Sequence, residues 1–498
     1  MRSLTLLKPE PLPLREHQVE DLTYHIANPK SLNLSEPSTG KTPTVCVLSY
    51  YHWARHGRKT IWTMPVSLME KNKAEMLVFT DFEPDDIFIF ESAFGKLTKK
   101  WTGPTTRIMK KRRIKTGMLG PDGNEIIKWE QYEDEVKDLI AAAKNAKVFI
   151  SSFAFLRDNI QHLFQTIPEL DLFLVDELHM GYGGPKSKQT ASFWSAGRKC
   201  SQFCGMTGTL IDGRLDSAYP AIHLIEPNYY GSYEGFVDSH AAWIDDYGNV
   251  DSWKDHDKLS QIIGKHSVRH TRKEVYGDQP IHFRTKMVEM GEKCRVQYDL
   301  FHAQAMLELE DENFLDGALP GVATIRARQI MAHPETNAIA KGETTGKDKY
   351  LAEVAAEGQP MLIFAALKPE QRRCLEVLKA CGLKAALINS DTSAKDRNLI
   401  DIAFRAGELD AIVASGPTAA VGYNWERADH VVFISIDYKD VNVSQAYLRA
   451  SRGTRTTTLL VTFVQYEESI DQRQYEIVKN KSIEAGKVDP TRDILRFE

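Results

Sequence analysis

Short runs of aliphatic, β-branched and aromatic residues recur along the chain, separated by helical patterns. A first series covers residues 60–64, 87–90, 148–151, 172–175 and 202–206. A second covers 361–365, 385–388, 411–414, 431–436 and 459–464. Apolar runs of this length without polar alternation read as strands buried on both faces, the pattern of a parallel sheet covered by crossover helices. The chain is therefore expected to hold two parallel α/β sheets. Between residues 218 and 348 such runs are scarce and charged helical patterns such as 292–313 dominate, which predicts a mostly helical connector. One stretch breaks the pattern: residues 96–128 hold ten Lys or Arg against only Asp122 and Glu125. Gly120-Pro121-Asp122-Gly123 supplies turn chemistry there, so a protruding hairpin is expected. After about Lys481 the residues read as a polar tail.

A length of 498 residues leaves room for about three domains. With 42% hydrophobic and 26% charged residues, the composition is that of a globular chain and not a disordered or fibrous one. No apolar run approaches the about 18 residues that span a bilayer. Residues 1–20 mix charges and prolines where a signal peptide would have an apolar core. The expectation is a cytoplasmic protein with no membrane partner, a nuclear one being the weaker alternative. Six cysteines with no CxxC pair fit a reducing compartment. The charge of −5 means that nucleic acid would have to be met by a local basic surface.

Candidate chemistry is concentrated at the ends of the predicted strands. Ser35-Glu36-Pro37-Ser38-Thr39-Gly40-Lys41-Thr42 precedes the helical start Val45-Cys46-Val47-Leu48. A triphosphate needs this arrangement: backbone N–H groups and a helix N-terminus facing the anion, Lys41 on the terminal phosphates, and the Thr42 hydroxyl for magnesium. The same triplet also arises in ordinary turns, and Ser35 stands where the simple pattern has glycine. Leu172-Phe173-Leu174-Val175-Asp176-Glu177 ends a buried strand with two carboxylates, at the edge where α/β sheets bind ligands. Asp176 can hold magnesium through water and Glu177 can orient an attacking water; alone, the pair could equally begin a helix as a dipole-compatible cap. Met206-Thr207-Gly208-Thr209 ends another strand with small hydroxyl residues able to link neighbouring loops. Gln18 carries an amide suited to an adenine edge. In Gln445-Ala446-Tyr447-Leu448-Arg449-Ala450-Ser451-Arg452 the two arginines lie at i and i+3, on one helix face, as a solvated surface or as forks for a γ-phosphate.

In this order the motifs resemble those of the superfamily 2 nucleic-acid-dependent ATPases, and within them the SNF2-like DNA translocases. The resemblance runs from about Leu14 to about Lys481. Met64-Pro65-Val66-Ser67-Leu68 is similar to the family's Pro-x-Ser-Leu segment, Ile150-Ser151-Ser152 to its serine-rich strand end, and Arg269-His270-Thr271-Arg272-Lys273 to the basic run entering the connector. Asn389-Ser390-Asp391-Thr392-Ser393 with Arg397 resembles its Gly-Ser-Thr-Ser element, and Val421-Gly422-Tyr423-Asn424-Trp425 its Val-Gly-Leu-Asn-Leu. Departures are Ser38 and Thr39 for Gly-Leu, Leu178 in the DExH element, Leu210 for proline, and the missing Trp-Asn-Pro before Gln445.

The resemblance implies two RecA-like parallel-sheet lobes in tandem: residues 1–217 with a basic insertion at 96–128, a helical connector at 218–348, a second lobe at 349–480 and a tail at 481–498. It implies ATP and Mg2+, with Lys41, Asp176, Glu177, Arg449 and Arg452 as catalytic residues. The ATP-binding set is Gln18, Glu36, Ser38, Thr39, Gly40, Lys41, Thr42, Gly422 and Gln445, and the metal set Thr42 and Asp176. DNA, duplex or branched, is the expected polymer ahead of RNA, met by Ser152, Lys186, Lys188 and Thr209 and by Lys110, Lys111, Arg112 and Arg113 of the basic run. The compact length points to a microbial or phage-type monomeric motor, with replication or repair proteins open as further partners. The alternatives are a strand-separating helicase on forked DNA or RNA, a P-loop small-molecule kinase, and a nucleic-acid scaffold with a decayed ATPase.

Overall fold

The computed structural model describes residues 11–90, 105–119, 125–211, 214–246, 250–278, 280–304, 306–308, 314–316, 320–334, 342–416, 423–451 and 455–488. By compactness these fall into two units. One comprises the described residues up to Lys30 with Thr42–Gly205, the other Ser31–Lys41 with the described residues from Met206 onward.

In the first unit, five neighbouring parallel strands run in the order Gln202–Met206, Leu170–Val175, Lys59–Thr63, Val148–Ser151, Ile87–Ile89. Ile61 sits opposite Phe149 on one side and Phe173 on the other. These three, with Trp62, Ile150, Leu174 and Phe203, are fully buried. Covered on both faces, the strands are mostly apolar at their centres without polar alternation, which is why the apolar runs locate them. The helices that cover them start at serine caps: Ser152 Oγ accepts the Phe155 N–H for Phe153–Thr166, and Ser187 Oγ accepts that of Thr190 for Lys188–Lys199. The basic stretch forms the expected hairpin, Thr105–Leu119 antiparallel to Glu125–Lys137. Lys110, Lys111, Arg112 and Arg113 stand opposite Tyr132, Gln131, Glu130 and Trp129 in its register.

In the second unit six strands, all parallel, run in the order Ile281–Val288, Leu459–Tyr466, His430–Phe433, Met361–Phe364, Ala411–Ala414, Ala385–Ile388. Leu362, Ile363, Ile412, Val413, Val431, Val432, Val461 and Phe463 are fully buried. The connector region holds the expected helices, among them His256–Lys265, Glu292–Gln304 and Pro320–Ala332. It also holds Ile281–Val288, an edge strand of the sheet. That strand alternates apolar with His282, Arg284 and Lys286, because one side of an edge strand meets solvent, so a search for continuous apolar runs passes over it. The expected polar tail is displaced as well: Ile470–Val488 is one helix, with Ser482, Ala485 and Val488 buried at i, i+3 and i+6. Small inward-facing residues give that face little hydropathy. Among the described residues no helix is long and apolar enough to cross a membrane.

Candidate nucleotide site

The strand Lys30–Asn33 pairs in parallel with Ser267–Val268 and runs into the glycine-poor loop at 35–40. Asn33 Oδ1 accepts the Ser35 N–H at 3.2 Å and starts the turn. The loop is left-handed at Gly40 (φ 95°) and also at Ser38 (φ 72°). Glycine adopts that region freely, whereas a serine there costs about 1 kcal/mol, so the bonds around the loop must hold it in place. Helix Lys41–His56 follows at once, so the loop ends at a helix N-terminus. Lys41 Nζ donates to the Ser35 and Glu36 carbonyls at 2.6 and 2.9 Å, and Thr39 Oγ1 donates to the Glu36 carbonyl at 2.9 Å. A lysine folded onto two neutral carbonyls exchanges them for phosphate oxygens at a gain, since a charged acceptor makes the stronger bond.

A strap of residues 268–276 runs along this loop. The Leu34 N–H donates to the Val268 carbonyl, the Glu36 N–H to that of His270, and the His270 N–H to Ser35 Oγ, at 2.9 to 3.0 Å. The Arg272 N–H donates to Glu36 Oε2 at 2.5 Å, and the Tyr276 hydroxyl to the Ser38 carbonyl at 2.7 Å. The strand end at Met206–Thr209 packs against the loop too: a Cβ on Gly208 would lie 2.7 Å from Pro37 Cδ, so only glycine fits. Thr207 fixes that turn, its Oγ1 donating to the Thr209 carbonyl and accepting the Thr209 N–H. These hydroxyl bonds stay within the turn, and it is Gly208 that meets the neighbouring loop, at Pro37.

In the first unit, the two carboxylates follow strand Leu170–Val175. The Asp176 N–H donates to the Thr63 carbonyl at 2.9 Å, continuing the ladder past the strand. Asp176 Oδ1 accepts the Glu177 N–H at 3.0 Å, and Oδ2 accepts Asn72 Nδ2 at 2.9 Å. Glu177 is left-handed (φ 50°, ψ 54°), which turns the chain sharply, and its Oε2 lies 3.6 Å from His179 Nδ1. A hydroxyl such as Thr42 and one oriented carboxylate are the donors a magnesium ion takes while keeping most of its waters. Among the described residues no cluster of three or more His, Cys, Asp or Glu forms a richer metal site.

The remaining candidates are placed less uniformly. Gln18 is 4% exposed and its Oε1 accepts the Arg15 N–H at 2.8 Å, closing the start of helix Glu16–Ala27. Gln445 is buried on helix Asp440–Tyr447. Arg449 follows that helix, 6% exposed, with its carbonyl taking the Trp425 N–H at 2.9 Å. Arg452 and Gly422 lie outside the described residues, as do the side chains of Lys110, Lys111, Arg112 and Arg113. Of the proposed DNA contacts, Lys186 and Lys188 are exposed, Ser152 caps its helix, and Thr209 is only 5% exposed.

Residues 346–457 match the model of the helicase conserved C-terminal domain, a span that takes in Gln445, Arg449 and Arg452. The chain is 21% identical over 359 residues to an uncharacterized ATP-dependent helicase of Mycoplasma genitalium, covering 71% of this chain and 34% of that protein. It is 23% identical over 296 residues to the chromodomain-helicase-DNA-binding protein 1-like of Danio rerio, covering 55% and 28%. The chain thus carries a match to the helicase C-terminal domain and is similar at low identity to ATP-dependent helicases and CHD-type proteins. It spans about a third or less of the length of these curated relatives. Among solved structures, the Sulfolobus solfataricus SWI2/SNF2 ATPase core in complex with dsDNA aligns over 99% of both chains at 15% identity, with a TM-score of 0.41.

Three residues that hold this site in place were given no such role by the motifs. Asn72 lies with Met69 and Met76 on the buried face of helix Met69–Phe79, at 1% exposure. A lone amide at i+3 on an apolar stripe is a legible signal that a buried polar partner exists. Arg272 lies in the basic run that the resemblance placed at the connector's entry and Tyr276 follows it, and local spacing carries no sign that either folds back on the loop at 35–40.

Proposed function

We propose that this chain hydrolyses ATP and uses the cycle to move along duplex DNA. The observation that carries the reading is the phosphate loop itself: a buried strand, two left-handed residues, Lys41 turned onto loop carbonyls, and a helix starting at that lysine. The helicase C-terminal match over residues 346–457 supports it, and a small-molecule kinase has no use for that domain.

In this reading ATP draws Lys41 from the Ser35 and Glu36 carbonyls to its terminal phosphates. The N–H groups of Ser38, Thr39 and Gly40 and of the first helical turn hold the anion. Gln18 reads the adenine edge, and Glu36, Gly422 and Gln445 complete the nucleotide contacts. Glu177, turned out by its left-handed backbone, orients the attacking water, while Asn72 keeps Asp176 from rotating away. Thr42 and Asp176 would hold magnesium, which supplies charge neutralisation at the phosphates. Arg449 and Arg452 bring guanidinium forks to the charge that develops on the transferred phosphoryl. Binding and release of ATP then alternate between two grips on the polymer, through Lys186, Lys188, Ser152, Thr209 and the basic hairpin. The name of the zebrafish relative includes DNA binding, which favours DNA over RNA as the polymer.

The test is the ATPase rate of wild type and Lys41→Ala with no polymer, single strands, duplex, forks and RNA. Duplex should stimulate the wild type most, and Lys41→Ala should be inactive yet folded. Fork unwinding would make the motor a strand-separating helicase. Equal rates with and without polymer would remove the motor, and normal turnover by Lys41→Ala would remove the phosphate-loop site.

A further inference from the structure

Arg272 touches two parts of the proposed machinery at once. Its main-chain N–H donates to the Glu36 carboxylate of the phosphate loop, and its guanidinium donates to both the carbonyl and the hydroxyl of Ser451. Arg272 is 5% exposed and Ser451 is fully buried. Ser451 lies between Arg449 and Arg452 in sequence, and the Arg449 carbonyl is itself anchored by the Trp425 N–H. The helix that begins at Arg272 is capped by Thr271 and Glu274, whose side chains each accept the other's N–H, so the residue sits on a stiff turn that moves as a unit. Burying a guanidinium is costly unless it is held by hydrogen bonds, and here one nitrogen, Nη2, is tied to both oxygens of a single residue, a directional link and not a diffuse charge.

We infer that Arg272 is a positioning residue that couples the phosphate loop to the segment presenting Arg449 and Arg452. A shift of Glu36 when nucleotide enters moves the Arg272 backbone, and the side chain passes that shift to Ser451. The inference rests on the ATPase reading. It predicts a defect in turnover and not in ATP binding, which a merely structural arginine would not produce.

The experiment measures DNA-stimulated kcat and KM, affinity for a fluorescent non-hydrolysable ATP analogue, and the melting curve, for wild type, Arg272→Met, Arg272→Lys and Ser451→Ala. Arg272→Met should lower kcat about tenfold or more with affinity unchanged, because a charge-assisted bond is lost. Arg272→Lys should recover much of it, since an ammonium can donate to both Ser451 oxygens. If Arg272→Met does not fold, Ser451→Ala decides: it deletes only the hydroxyl acceptor and should lower kcat about threefold to fivefold. An unchanged kcat in either folded variant, or a loss of affinity that accounts for the whole defect, overturns the role of Arg272. A wild type that hydrolyses no ATP overturns the ATPase reading, and this inference with it.

Discussion

The loop at 35–40 and the carboxylate pair both follow buried parallel strands, but they are held by different means. Asp176 is oriented from within its own α/β unit, by the Thr63 carbonyl on the adjacent strand, by Asn72 on helix Met69–Phe79 and by the next residue's N–H. The loop at 35–40 is gripped by His270, Arg272 and Tyr276, partners 235 to 238 residues away in sequence. A carboxylate fixed inside one sheet keeps its geometry whatever happens elsewhere. A loop fixed by a distant strap has a shape that depends on where the strap is, which is what a nucleotide-responsive element requires.

The largest expected effect is on the locally held side. Asn72→Leu keeps the size of the side chain but leaves Asp176 Oδ2 without its amide, and should lower kcat about 10- to 100-fold, the usual cost of losing a partner that orients a metal-binding group. ATP affinity should change little. Turnover near wild type would mean that Thr63 and the Glu177 N–H suffice to hold the carboxylate. On the strap side, Tyr276→Phe removes one bond to the Ser38 carbonyl, worth about 1 kcal/mol, and should weaken ATP binding about fivefold by calorimetry while kcat stays constant. A fall in kcat with unaltered affinity would show that Tyr276, like the Arg272 side chain, acts on turnover and not on the loop's hold on ATP. The smallest effect is expected at Ser38→Gly. It relieves about 1 kcal/mol of left-handed strain, offset in part by the added freedom of the unfolded glycine. The denaturant midpoint should rise slightly and ATP affinity stay within about twofold. A loss of both would show that the buried Ser38 hydroxyl, not the backbone shape, is what the loop needs.

The sequence was most legible where burial is two-sided. The strands at 148–151, 202–206 and 411–414 match the expected runs residue for residue, because their side chains are buried throughout and mostly apolar; 385–388 matches too, as an edge strand that is apolar although only half-buried. Lys30–Asn33 is not visible in that way: Ser31 and Asn33 are polar and buried, and Asn33 accepts the Ser35 N–H that starts the following turn. Ile281–Val288 is hidden for the opposite reason, being half exposed at an edge. The charged groups of the candidate site stand out because few other functions place Lys41 or Asp176-Glu177 after a buried strand. The groups that hold them do not: Asn72 is marked only by its apolar neighbours, and Arg272 and Tyr276 act across a sequence distance that no local pattern records.

The most direct test of the account is paired measurement of ATP binding and single-turnover phosphate release on duplex DNA, for wild type and Arg452→Ala. If the arginines of the helicase C-terminal domain complete a site begun at Lys41, the variant binds ATP as wild type does and releases phosphate at a small fraction of its rate. Release at the wild-type rate by Arg452→Ala would contradict it, leaving hydrolysis to the phosphate loop and the carboxylates alone.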